Sequence, residues 1–271
     1  PNWVTIVSVV TLLGLLAIWG IGQAVGVAAV VTGIEIGGLV MIIWVGREAF
    51  GNLPDNLPAL VPPLEGGAWL GIISGSFLAF YAFIGFEDMV NVAEEVKDVR
   101  RTLPIAIILT LSLTSVLYLA IAIVGVLVLP VADIAASDAP LALIYTRQTG
   151  EDATLITLIS VVAVLNGALI QIIMASRVLY GMGREGWIPG PFGKVNPRTQ
   201  TPIQATIAVT LCVMGLALFF DVEQLAQVTT LGLSLVAVLV NGALIKLKWG
   251  ETLPVDGFTV PLWVPVAGLL I

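Results

Sequence analysis

The chain has 271 residues, of which 58% are hydrophobic and 11% charged, and a mean hydropathy of +1.06. It holds several uncharged runs long enough to cross a bilayer, whereas a soluble domain hides apolar runs of only about 4 to 8 residues, so lipid rather than water is the solvent these runs call for. A formal charge of -7 with no basic cluster excludes nucleic acid as a partner, and the absence of His with a single Cys, Cys212, leaves no disulfide framework, thiolate metal site or imidazole proton shuttle within the chain.

Apolar runs bounded by Gly, Pro and charge predict helices over 3–20, 23–46, 68–97, 104–129, 153–183, 202–220 and 224–247, with an eighth opening near 259. Trp19, Trp44, Trp69, Trp187 and Trp249 fall at their ends, where amphipathic rings favour the interface. The chain opens at Pro1 without Met or a charged leader and stops at Ile271 inside an apolar run, so a piece of a longer protein is expected, forming one transmembrane domain over 1–271. Alternate connections differ sharply in charge. One set carries Lys97, Arg100, Arg101, Arg177, Arg184, Lys194, Arg198, Lys246 and Lys248, and the other only Arg47 and Arg147. The positive-inside bias places the loops after about 97, 183 and 247 in the cytoplasm, and those around 47–67, 130–152 and 221–223 outside.

In the second run Glu35 lies near mid-span, within Thr32-Gly-Ile-Glu-Ile-Gly-Gly38, with no basic residue in its own helix. A lone carboxylate in hydrocarbon is costly to keep charged, which makes Glu35 a candidate to load and release a proton as solvent access changes. The rival expectation is a neutral acid hydrogen-bonded to a neighbouring helix.

The third run is the most informative. Its 30 residues would form a helix of about 45 Å, against a hydrocarbon core of roughly 30 Å, so it must tilt and protrude or else break. It contains Phe80-Tyr-Ala-Phe-Ile-Gly-Phe-Glu-Asp88, in which Gly85 and two acids interrupt apolar sequence. A break at Gly85 would bare peptide groups at mid-depth, which membranes tolerate only where they line a cavity or pack on protein.

Further on, Asn166 and Gln171 are polar residues inside the 153–183 run, and Gly167, Gly181 and Gly183 are small enough for close helix approach. The stretch Gly181-Met-Gly-Arg-Glu-Gly186 matches the spacing of a dinucleotide fingerprint, but it ends an apolar helix instead of following a strand, so it is a helix stop and no cofactor is expected.

Two ordered sets of residues resemble the amino acid-polyamine-organocation (APC) permeases. The run Phe83-Ile-Gly-Phe-Glu87, then Ala93-Glu-Glu-Val-Lys97 and Arg100-Arg-Thr-Leu-Pro104, is similar to that family's sixth helix and the loop after it. Ala175-Ser-Arg-Val-Leu-Tyr180, Arg184-Glu-Gly-Trp-Ile-Pro189 and Thr201-Pro202 resemble its eighth helix and exit loop. The resemblance implies an all-α polytopic membrane protein, a partial LeuT-type inverted-repeat fold covering helices four to ten and the start of eleven, with a broken sixth helix. It further implies that carbonyls near Tyr81 and Ile84 accept a substrate ammonium. Gly85 would be the unwound hinge, Tyr81, Ala82 and Phe86 would shape the pocket, and Gln171 would face the substrate. Glu87 joins Glu35 as a candidate for proton coupling or gating, and Glu94 or Glu95 with Arg177 would latch a cytoplasmic gate.

The expected activity is secondary transport of an amino acid by alternating access across the cell membrane, with a proton as coupling ion or by exchange. An amine or polyamine antiporter is the nearest alternative, and a channel or a non-transporting membrane scaffold comes from other classes. A membrane enzyme is not expected, because no nucleophile, base or metal cluster sits at mid-depth.

Overall fold

The computed structural model describes residues 2–19, 21–91, 93, 96–250 and 258–270. Among them there are helices and no strands, as the apolar runs demand: with no water to satisfy backbone groups, each run must pair them within itself. The chain begins with α1 (Asn2–Trp19) and α2 (Ile21–Val45). After a connection come α4 (Gly66–Tyr81), the single turn α5 (Asp88–Asn91) and the long α6 (Val99–Val128). A second connection leads to α9 (Thr154–Arg184), α10 (Ile203–Phe219), α11 (Val222–Trp249) and α12 (Trp263–Leu270).

The stretches 47–67 and 130–152, which the sequence marks as loops, hold helices of their own. A 3-10 turn over Arg47–Asn52 runs into α3 (Leu53–Leu60), and α7 (Val131–Ala136) is followed by α8 (Pro140–Thr149). The prolines that read as breakers act here as starters. Pro54 and Pro140 sit in the first helical turn, where a missing N–H is no loss. Gly150 then stops α8 in the left-handed region, at φ +72, its amide bonded to the Thr146 carbonyl. Asp152 accepts hydrogen bonds from the Thr154 hydroxyl and amide at the start of α9, which hold its carboxyl below the usual carboxylate range. At α11 an Asp221/Gln224 capping box does the same work.

Four stretches, Ala28–Val45 within α2 and the whole of α6, α9 and α11, are long and apolar enough to cross a membrane. Along α6 the exposed residues Ile105, Leu109, Leu113, Val116 and Leu119 recur at helical spacing. A soluble helix would bury such a stripe, so here it meets lipid.

The chain divides into two compact units, Pro1–Pro63 with Ser112–Leu218, and Leu64–Leu111 with Phe219–Ile271. In the first, α9 is the central element and packs on α1, α2 and α8. Its core has two centres. Ile42, Val124, Leu129, Ile144 and Ile156 form one, and Leu13, Ala17, Ile172 and Val209 the other. Helices α2 and α9 run antiparallel, with Gly38 so near Ile159 that a Cβ on it would lie 2.9 Å from the isoleucine Cγ2. Thr201, fully buried, donates to the Ile18 carbonyl and ties the entry of α10 to the end of α1. In the second unit α11 packs on α4 and α12, and Asn241 of α11 donates to the Ala237 carbonyl at 2.9 Å beside Gly268 of α12. A Cβ on Gly268 would stand 2.8 Å from the Asn241 amide nitrogen. Gly268→Leu is therefore expected to lower the melting temperature of the purified protein by a few degrees, from about 1–3 kcal/mol of overpacking.

Candidate functional site

Helix α4 ends at Tyr81 after 16 residues, a rise of about 24 Å, which is short of a hydrocarbon core of roughly 30 Å. By itself the helix is too short to span that core. Residues 82–87 form a turn before α5. The ladder tightens there to i→i+3 bonds: the amides of Ala82, Phe83 and Ile84 donate to the carbonyls of Ala79, Phe80 and Tyr81 at 3.1, 3.0 and 3.2 Å. Beyond the turn Asp88, Met89 and Val90 donate to Gly85, Phe86 and Glu87 at 3.2, 3.3 and 3.0 Å.

Gly85 makes the break possible, because its φ of +120 lies where an L side chain is strained. Its amide has left the helical ladder and instead donates to the Glu87 carboxylate, Oε2, at 2.8 Å. Glu87 thus folds back on the chain and satisfies an N–H that would otherwise be orphaned in the membrane. The Tyr81 carbonyl uses one lone pair for Ile84 and retains a second. Ile84, Gly85, Phe86 and Glu87 are half-buried, and Tyr81 and Ala82 are exposed. Ala82 and Ile84 to Glu87 therefore share one non-helical turn, directly after Tyr81, the last residue of α4.

The other candidates belong to the first unit. Glu35 is half-buried on α2, and its Oε1 accepts a hydrogen bond of 3.1 Å from the side-chain amide of Asn166 on α9. Sequence alone treats these two as separate polar residues in separate spans; the antiparallel α2/α9 packing joins them. No spacing rule could have paired residues 131 positions apart. Added Cβ atoms on Gly33, Gly37 and Gly167, close in sequence to the pair, would meet nothing within 4 Å. Gln171 is exposed and Arg177 half-buried, farther along α9, and both have interactions with other groups. Glu94 and Glu95 lie outside the described residues.

Removing the donor with Asn166→Leu leaves a carboxylate without its partner in a low-dielectric setting. A double-mutant cycle of Glu35→Gln with Asn166→Leu, read by thermal unfolding of the purified protein, is expected to give a coupling of about 0.5–2 kcal/mol. A coupling of zero would mean that the contact is incidental.

Of the three small residues suggested for close packing on α9, Gly183 makes such an approach, to the 3-10 turn Gly190–Gly193. A Cβ on Gly183 would lie 2.5 Å from the Gly193 backbone nitrogen. Gly167 and Gly181 have open space, and Gly186, at φ +78, reverses the chain after the helix. The segment that matches a dinucleotide fingerprint is thus a helix end pinned by backbone contact.

Long apolar helices, with one apolar run interrupted at Gly85, define a multi-pass membrane protein. A family model described as amino acid permease matches residues 1–271, and the chain belongs to that family. It is similar to the vacuolar cationic amino acid transporter 4 of Arabidopsis thaliana, with 30% identity over 257 residues covering 93% of this chain and 41% of that protein. It also resembles the branched-chain amino acid permease BcaP of Bacillus subtilis (strain 168), with 29% identity over 92% of this chain and 51% of that protein. The methylthioribose transporter of the same organism is 28% identical over 80% of this chain and 46% of that protein. The chain thus spans about half the length, or less, of these relatives.

Proposed function

We propose that the full-length protein is a secondary transporter that carries an amino acid across the cell membrane by alternating access, and that the turn over 82–87 is one half of its substrate site. The observation behind this reading is the break itself, because a membrane helix does not forgo its ladder without a use for the freed peptide groups. The Tyr81 carbonyl at the end of α4 and the Ile84 carbonyl in the turn after it offer a small cation acceptors near the negative end of a helix dipole. An α-ammonium fits that chemistry. Ala82, Gly85 and Phe86 give the turn its shape. Relatives named as transporters of cationic amino acids, of branched-chain amino acids and of methylthioribose indicate that this scaffold is compatible with several substrates, and a neutral amino acid is the choice for this chain because its turn offers no charged side-chain partner beyond Glu87.

A proton gradient or exchange drives the cycle in this proposal. Glu35, bonded to Asn166, and Glu87, bonded to Gly85, are the groups for proton coupling or gating. The test is uptake by full-length protein in liposomes, using radiolabelled neutral, cationic and acidic amino acids with putrescine as the amine control. Saturable uptake of an amino acid supports the reading, whereas uptake of putrescine alone would replace it with an amine exchanger. For coupling, Glu35→Gln is expected to flatten the pH dependence of uptake; an unchanged profile at every pH removes Glu35 from the mechanism.

A further inference from the structure

Outside the broken helix, the second unit carries a groove of about 300 Å³ lined by Arg100, Arg101, Pro104, Ile105, Ile108 and Phe258. We propose that this groove binds an anionic phospholipid, its phosphate held by Arg100 and Arg101 and one acyl chain lying along the apolar wall.

Arg101 stands three and four residues before Pro104 and Ile105, and these stand four and three before Ile108, so the four share one face of α6. The charged end of that face is the helix start and the apolar end continues toward the membrane interior, about 10 Å from Arg101 to Ile108 at 1.5 Å per residue. That is the polarity of a lipid: an anionic head at the interface and hydrocarbon below it. Phe258 forms the facing wall, and its stretch of chain is tethered by Lys248 of α11, which donates to the Val260 carbonyl.

The arginines are also free to take a ligand. Both are exposed, and among the described residues neither guanidinium has an acidic partner or a hydrogen bond. Guanidinium binds phosphate oxygens through paired N–H donors, and two adjacent forks match a phosphodiester better than a zwitterionic head whose own ammonium competes. The groove lies on the side that the charge bias assigns to the cytoplasm, where anionic lipids gather. Ile105 and Phe258 are 52% and 58% exposed among the described residues, as befits an apolar wall.

This proposal does not depend on what the protein transports. Its test is native mass spectrometry of purified full-length protein titrated with phosphatidylglycerol, phosphatidylcholine or sn-glycerol 3-phosphate. Phosphatidylglycerol should be retained over phosphatidylcholine. Arg100→Gln with Arg101→Gln should weaken that retention on the order of tenfold, from the loss of two cations at the interface. Ile105→Trp keeps both charges but fills the wall, and should weaken it too. Arg184→Gln with Arg198→Gln, which removes two other cations from the same side, should change it little. Equal retention of the two lipids overturns the proposal, as does equal weakening by the control pair, which would reduce the effect to bulk surface charge. Binding of glycerol phosphate as tightly as the lipid, or indifference to Ile105→Trp, would mean a simple phosphate site without an acyl groove. Melting temperature in phosphatidylcholine verifies that each variant is folded.

Discussion

Gly85→Leu in the full-length protein should reduce substrate uptake by about a hundredfold or more while leaving the protein inserted in the membrane. Gly85 sits at φ +120, and holding a branched side chain there costs about 1–3 kcal/mol. The strain has an easy release, since leucine is a strong helix former and residues 80–90 can rewind. Rewinding would return the Gly85 amide from Glu87 to the helical ladder and the carbonyls near Tyr81 to intrahelical donors. The helix end, with its outward-turned carbonyls and negative dipole end, would then be lost as an ammonium site. Insertion depends on the apolarity of the span and survives, because leucine makes it more apolar. Equilibrium binding to purified protein, with surface labelling to confirm insertion, separates the two effects. Wild-type uptake by a correctly inserted Gly85→Leu protein would sink the proposed site, and a conservative Gly85→Ala should fall between.

The second large effect is structural. Gly183→Leu puts a side chain where the Gly193 nitrogen would be 2.5 Å from its Cβ and the Phe192 carbonyl carbon 2.9 Å. Both are backbone atoms, so no rotamer change relieves the clash. The 3-10 turn must lift off the end of α9, at a cost of about 1–3 kcal/mol or more. For a compact unit of this size the melting temperature should fall by roughly 3–10 °C, measured on purified protein. Gly181→Leu is the matched control: with nothing within 4 Å of its Cβ, it should leave the melting temperature nearly unchanged. Equal losses from the two variants would show that the close approach at Gly183 is not what holds this end of α9.

The helical class and membrane setting were legible because they follow from summed properties of long segments, which tolerate errors of a few residues at each boundary. The two connections were misjudged for a local reason. Pro54 and Pro140 carry the same meaning in a loop as in the first turn of a short helix, and only neighbouring contacts, such as Ile144 of α8 buried against α2 and α9, decide between them. The family was legible too, since its motifs are contiguous in sequence.

Sequence by itself therefore determined that this chain lives in lipid, that its backbone must pair within helices, and that one span, too long and interrupted by Gly85, invites a break. Those are consequences of residue chemistry read along the chain. Tertiary structure decided what no single segment contains: that the Gly85 amide turns to the Glu87 carboxylate, that Glu35 and Asn166, far apart in sequence, share a hydrogen bond, and that Gly183 is needed for its contact with Gly193 while Gly181 is not. Such pairings depend on which helix faces meet and at what register, and that is set by packing between elements.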